Sequence, residues 1–60
     1  MTSMIELVNR IQMVKKLTQD LLSAVEKKEW LLAEAIETML CIEHTKLSML
    51  ISSMRGNTVL

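Results

Sequence analysis

Three residues in the second half of the chain carry side chains that could do chemistry together. Cys41 and His44 are three positions apart, and Glu37 lies one helical turn before Cys41. On a helix this spacing places all three on one face. A thiolate, an imidazole and a carboxylate can ligate zinc, and a cysteine with a histidine is also the pair of a nucleophilic active site.

One copy of the chain does not supply all the groups that a zinc site or a nucleophilic active site needs. Structural zinc takes four ligands, whereas one copy offers three. A catalytic pair needs a pocket, an orienting third group and oxyanion donors, and the sequence has no glycine-rich loop. Lone cysteine and histidine residues on helices are commonly just packed or exposed. We therefore predict no catalytic residue, no metal site and no cofactor, and keep a metal or redox module shared by two copies as an alternative.

The size of the chain predicts that its helices need support. With 60 residues it forms at most one domain, which buries a modest share of its surface. Its lone cysteine excludes an internal disulfide, and the expected setting is the reducing cytoplasm. Oligomerisation is then the most available source of stability.

The charge balance disfavours nucleic acid and membrane as partners. Seven basic residues offset seven acidic ones, so no basic surface drives counterion release. The apolar stretches are short and interrupted by charge, which predicts neither a membrane span nor a signal peptide. The pairs Lys15–Lys16 and Lys27–Lys28 are most simply solvated surface.

The first half of the chain has the spacing of an amphipathic helix. Ser3 followed by Glu6 is a capping box, which predicts helix 1 over about residues 4–26. Further apolar residues beside the seam widen the stripe beyond a two-stranded coiled coil, as in a bundle helix. The expected seam, interrupted only by Thr18, is Met4, Leu7, Ile11, Val14, Leu21 and Val25.

The second half repeats the spacing in a shifted register. The polar run at residues 26–29 separates the registers and predicts a turn at about 27–29, then helix 2 over about 30–55. Gly56 is the expected C′ cap, with residues 56–60 as a tail. One continuous helix stays the alternative, because no glycine, proline or asparagine marks the turn. The expected seam, interrupted at Glu43, is Ala33, Ile36, Leu40, Leu47, Leu50 and Met54.

The apolar stripes are wider than a single helix pair can cover. Exposing the remainder would leave a larger patch than soluble monomers tolerate. We predict an all-α fold, a two-helix antiparallel hairpin that dimerises into a four-helix bundle or accepts a partner protein's helix. The methionines are expected as core filler. The predicted interface residues are Leu7, Ile11, Val14, Leu21, Val25, Trp30, Ile36, Leu40, Leu47, Leu50 and Met54.

Trp30, the only aromatic residue, stands where helix 2 is expected to begin. It is predicted to close the hairpin by packing on Leu22 or Val25, or to anchor an interface. The segment Leu21–Trp30, a leucine-rich helix end followed by a charged stretch and a tryptophan, resembles the turn region of FliT-type flagellar export chaperones. The resemblance implies a bacterial cytoplasmic protein that binds export substrates through apolar grooves, with Trp30 as the tryptophan that closes the hairpin.

Two functions follow from these patterns. The first is a non-enzymatic helical adaptor, similar to an export chaperone, that binds a partner through an apolar helical face. The alternative is a small homodimeric four-helix-bundle regulator that binds RNA, as the plasmid protein Rop does, for which the basic pairs of helix 1 are the only support.

Overall fold

The protein is a hairpin of two α-helices packed against each other. The computed structural model describes residues 4–59, with the side chains of residues 4–56. Helix α1 spans Met4–Glu26 and helix α2 spans Trp30–Val59. The predicted all-helical hairpin is confirmed, and the alternative of one continuous helix is wrong. Ser3, the predicted capping residue, lies outside the described residues.

The turn between the helices is built by backbone hydrogen bonds. The amide of Glu29 donates to the carbonyl of Ala24 (2.9 Å), and the amide of Lys28 donates to that of Val25 (3.0 Å). Lys28 has a positive φ of 60°. This is a Schellman motif with lysine at the position that glycine usually occupies, which explains how the helix ends without a glycine or proline in the sequence.

The hairpin seam follows the predicted positions in α2 but not in α1. Ala33, Ile36 and Leu40 are buried, and Leu47, Leu50 and Met54 are half-buried. In α1 the half-buried or buried positions repeat with heptad spacing, at Leu7, Arg10, Val14, Leu17, Leu21 and Ala24.

The predicted α1 seam was therefore wrong at alternate positions. Leu7, Val14 and Leu21 belong to the seam, but Met4 is 62% exposed, Ile11 is 48% exposed and Val25 is 41% exposed. The seam positions that alternate with Leu7, Val14 and Leu21 are Arg10, Leu17 and Ala24. Both sets have the same heptad spacing, so the choice depends on which residues face α2.

The most buried part of the seam lies near the turn. Ala24, Ala33, Ile36 and Leu40 form the core cluster, and Val14, Leu17 and Leu21 pack against it. Alanine at two of the four buried positions lets the helices approach closely beside the turn.

Helix α2 is longer than predicted. It continues through Gly56 to Val59, and Gly56 does not have a positive φ. The predicted C′ cap at Gly56 and the non-helical tail from residue 56 are therefore wrong up to residue 59. A glycine ends a helix only where the chain adopts the left-handed conformation, and nothing in the local sequence enforces that here.

Candidate interaction surface

A polar cluster interrupts the apolar seam between the two helices. Arg10 donates from Nη1 to Oε1 of Glu43 at 3.4 Å, and its Nε lies 3.7 Å from Oε2 of Glu6. Lys46 Nζ lies 3.6 Å from the other carboxylate oxygen of Glu43. The Glu43 side chain is only 13% exposed, so its charge is largely removed from water and compensated by two cations.

Arg10 is a residue that sequence reasoning missed, since the predicted α1 seam does not include it. The available signal was the interruption at Glu43, the one charged position in an otherwise apolar seam. A carboxylate there needs a cation at the same level of α1, and Arg10 is that cation. The pair also fixes which residues of the two helices lie level with one another.

One broad face of the hairpin carries two shallow grooves, and we call it the grooved face. Near the turn, Asp20 of α1 and Lys27 of the turn line a groove with Leu32 and Met39 of α2. Towards the open end, Glu6 and Arg10 line a second groove with Lys46 and Met49. On this face α2 contributes apolar side chains, whereas α1 contributes mainly charged ones.

The opposite broad face, which we call the Trp30 face, has more exposed apolar side chains. Heptad spacing places its residues on the side of each helix away from the groove-lining positions. Its polar residues midway along the helices include Lys15, Thr18, Glu37, Cys41 and His44. Exposed Glu34, Ser48 and Arg55 share the heptad position of Cys41, so they border the same face nearer its two ends. Its apolar residues, all exposed, are Met4, Val8, Ile11, Leu22 and Val25 from α1, with Trp30 and Ile51 from α2.

The predicted interface residues thus divide into two groups. Eight lie in the hairpin seam and are buried or half-buried: Leu7, Val14, Leu21, Ile36, Leu40, Leu47, Leu50 and Met54. The other three, Ile11, Val25 and Trp30, lie on the Trp30 face. Only this second group offers an accessible surface to another molecule.

Trp30 and its expected packing partners Leu22 and Val25 lie at the turn end of the same face. All three are partly exposed, Trp30 to 59%, so the turn end is not fully covered by them. The buried residue of α1 beside the turn is Ala24, which directs Val25 towards the Trp30 face. Trp30 therefore adds a large apolar surface at the turn end of that face.

The methionines also differ from expectation. Met4, Met13, Met39 and Met49 are exposed, and Met54 is half-buried. The expectation that they fill the core is wrong for the four exposed residues. Flexible, polarizable side chains on an accessible face can adapt to differently shaped partners.

In the structure Cys41 is hydrogen-bonded to Glu37, and no hydrogen bond joins Cys41 to His44 among the described residues. The Cys41 thiol donates to the Glu37 carboxylate at 3.3 Å, and the cysteine is exposed. This hydrogen bond and the negative charge of Glu37 raise the pKa of the Cys41 thiol, so less reactive thiolate is present at neutral pH. Among the described residues, no group of three His, Cys, Asp or Glu side chains is arranged to hold a metal ion.

Of the two basic pairs, Lys15–Lys16 lies in α1 and Lys27–Lys28 lies in the turn. All four lysines are exposed, and Lys16 forms an ion pair with Asp20, one helical turn further along, at 3.6 Å. Lys27 borders the groove beside Asp20. Over residues 4–59, neither helix combines the length and apolar character needed to cross a membrane.

Comparison with protein-family models, curated proteins and solved structures gives no match for this chain.

Proposed function

We propose that this protein is a non-catalytic helical interaction module whose apolar faces pack against the helices of a protein partner. One observation carries the proposal: fourteen large apolar side chains of the described residues are exposed, on both helices and at both ends of the hairpin. Scattered exposed apolar residues are ordinary, but continuous stripes of them mark interaction sites.

The chemistry of the surface favours protein over nucleic acid. The exposed apolar stripes run along the helix axes, and this shape fits an amphipathic helix laid alongside. The charges form local pairs such as Lys16 with Asp20 rather than a basic track for a phosphate backbone. Exposed methionines on both faces support a surface that adapts to its partner.

A catalytic role has little support beside this one. The only thiol is held by Glu37 in a state that disfavours the thiolate. The grooves between the helices are shallow, whereas catalysis needs a concave site that excludes water. An adaptor similar to an export chaperone remains the finer form of the proposal, supported by the resemblance of the turn segment and by the apolar grooves.

The proposal is tested by measuring helicity, melting temperature and solution mass together across a concentration series. Because the helices are stabilised when their apolar faces are covered, two results would support the proposal. Either helicity and melting temperature rise with chain concentration, or the chain alone has low helicity when dilute. The probe for the second case is a soluble amphipathic helical peptide, which should increase the helicity of the mixture beyond the sum of its parts. A chain that stays monomeric, fully helical and equally stable over the whole range would contradict the proposal.

A further inference from the structure

We infer that the Trp30 face is covered by a second copy of this chain, related by a two-fold axis perpendicular to the helices. In this arrangement the turn end of one copy lies on the open end of the other, with Trp30 against Ile51 of the partner copy. The inference rests on the proposed function and specifies the occupant of one of its faces.

The first argument is the distribution of apolar side chains along the Trp30 face. Leu22, Val25 and Trp30 form an apolar area at the turn end, whereas Met4, Val8 and Ile51 form another at the open end. Between them the α2 side of the face is polar. Such a pattern is self-complementary under a perpendicular two-fold axis, because it pairs each apolar end with an apolar end and the polar middle with itself.

The α2 register fits this axis closely, and the α1 register fits it to within about one helical turn. Arg10 contacts Glu43, so Cys41 lies level with the region of Gln12 in α1. Measured from that level, Trp30 and Ile51 lie at nearly equal distances in opposite directions, about 16 Å at the helical rise. In α1, Leu22 and Met4 lie about 15 Å and about 12 Å from the same level, so the axis brings Leu22 of one copy to within about 3 Å of Met4 of the other along the helix. One axis thus brings the apolar ends of α1 and of α2 together, although the two helices have unrelated sequences.

The Trp30 face has the broad apolar surface that a pair of hairpins needs. Its seven large apolar side chains are each 41–62% exposed and lie on both helices, as suits a stable interface of roughly 800 Å² per partner. The grooved face offers less, since α1 contributes mainly charged side chains there. A single foreign helix would cover only part of the Trp30 face, whose apolar residues lie on both helices.

The polar middle is also complementary to itself. The axis places Glu37 of each copy opposite His44 of the other, a carboxylate against an imidazole that can donate to it. It brings Cys41 beside its own image. This last feature gives a direct experimental readout, because two thiols on a two-fold axis can be joined by a short linker.

The experiment uses the full chain with a short bis-maleimide that alkylates two thiols, together with light scattering. We expect a species of twice the 6.9 kDa chain mass, linked through Cys41 at low micromolar concentration, and Trp30 emission that shifts to the blue as concentration rises. Leu22→Glu should give a monomer with at least tenfold less linked product. The matched control is Leu31→Glu, which changes an 84% exposed leucine on neither broad face and should leave both readouts unchanged.

Each outcome decides the inference. If Met39→Glu on the grooved face abolishes association and Leu22→Glu does not, the second copy lies on the wrong face and the inference fails while the proposed function stands. If the wild-type chain is monomeric and poorly helical but gains helicity from the amphipathic peptide, the inferred dimer is wrong and the proposed function stands. A monomer that is fully helical and stable overturns both. If Leu22→Glu fails to fold, linking of the wild-type chain through Cys41 still decides.

Discussion

The two halves of the hairpin are held together differently. The turn half contains all four buried residues, Ala24, Ala33, Ile36 and Leu40, at a seam without charge. The open half has half-buried Leu7, Leu47 and Leu50 around the pair Arg10–Glu43. Apolar packing close to a short turn stabilises the fold, because closing a short loop costs little conformational entropy. Ion pairs at a partly solvated seam contribute little net free energy of folding.

The difference predicts an order of local stability. The turn half should exchange its backbone amides most slowly, and the open half should open first. It also separates roles, because the charged pair in the open half fixes register more than it adds stability. A hairpin built this way holds its turn end rigid while its open end depends on what covers it.

The largest expected effect is from a charge placed in the dry half. Leu40→Asp puts an unpaired carboxylate at a position only 5% exposed, and should cost about 4 kcal/mol or more, enough to unfold a chain this small. Leu50→Asp, at a half-buried position of the open half, should keep most of the helical signal. Circular dichroism of both variants at one chain concentration checks this, and equal losses would show that the halves do not differ.

Removal of the seam carboxylate should have a smaller effect. Glu43→Ala leaves Arg10 partly buried without its partner across the seam, with an expected loss of about 1–2 kcal/mol in the free energy of unfolding. Asp20→Ala, which removes the exposed pair with Lys16, is the control and should cost under about 0.5 kcal/mol. Urea unfolding measures both, and indistinguishable midpoints would place the Arg10 pair among ordinary surface pairs.

Glycine at residue 28 should stabilise the turn, because the left-handed backbone conformation there favours glycine. Lys28 has a φ of 60°, so Lys28→Gly should stabilise the hairpin by about 1 kcal/mol and raise the melting temperature by several degrees. Lys27→Gly, in the same run but without the positive φ, should destabilise slightly. A melting temperature lowered by Lys28→Gly would contradict the Schellman assignment.

The smallest effect concerns Cys41 and leaves the fold unchanged. Since Glu37 raises the pKa of the thiol, the pH midpoint of its alkylation by iodoacetamide should lie above that of an ordinary cysteine. Glu37→Gln removes the negative charge and should lower the midpoint, giving faster alkylation at neutral pH. Glu34→Gln, without a bond to Cys41, is the control. Reaction rates measured for all three proteins at one chain concentration where circular dichroism shows them helical test this, and equal midpoints would exclude the influence of Glu37.

Much of the fold follows from local patterns. Heptad spacing in each half, the polar run at residues 26–29 and the change of register between them predict two helices and the place of the turn. The seam of α2 was predictable because its stripe has a single polar interruption, at Glu43, whereas every other stripe of α2 has more. The α1 seam was not, because the stripe containing Ile11 and Val25 and the stripe containing Leu17 and Ala24 have equal spacing and each has one interruption.

The sequence by itself determined that this chain is helical, where it turns and that it carries more apolar surface than one helix pair can bury. Only the tertiary structure decided which α1 stripe faces α2, because that choice depends on pairing Arg10 with Glu43 and on the small volumes of Ala24 and Ala33 beside the turn. The same packing decided that Ile11, Val25 and Trp30 remain accessible. Hydrophobic periodicity predicts which side chains are buried when a partner is present. Only the packing of the two helices determines which of these side chains are buried in the hairpin and which are left for another partner.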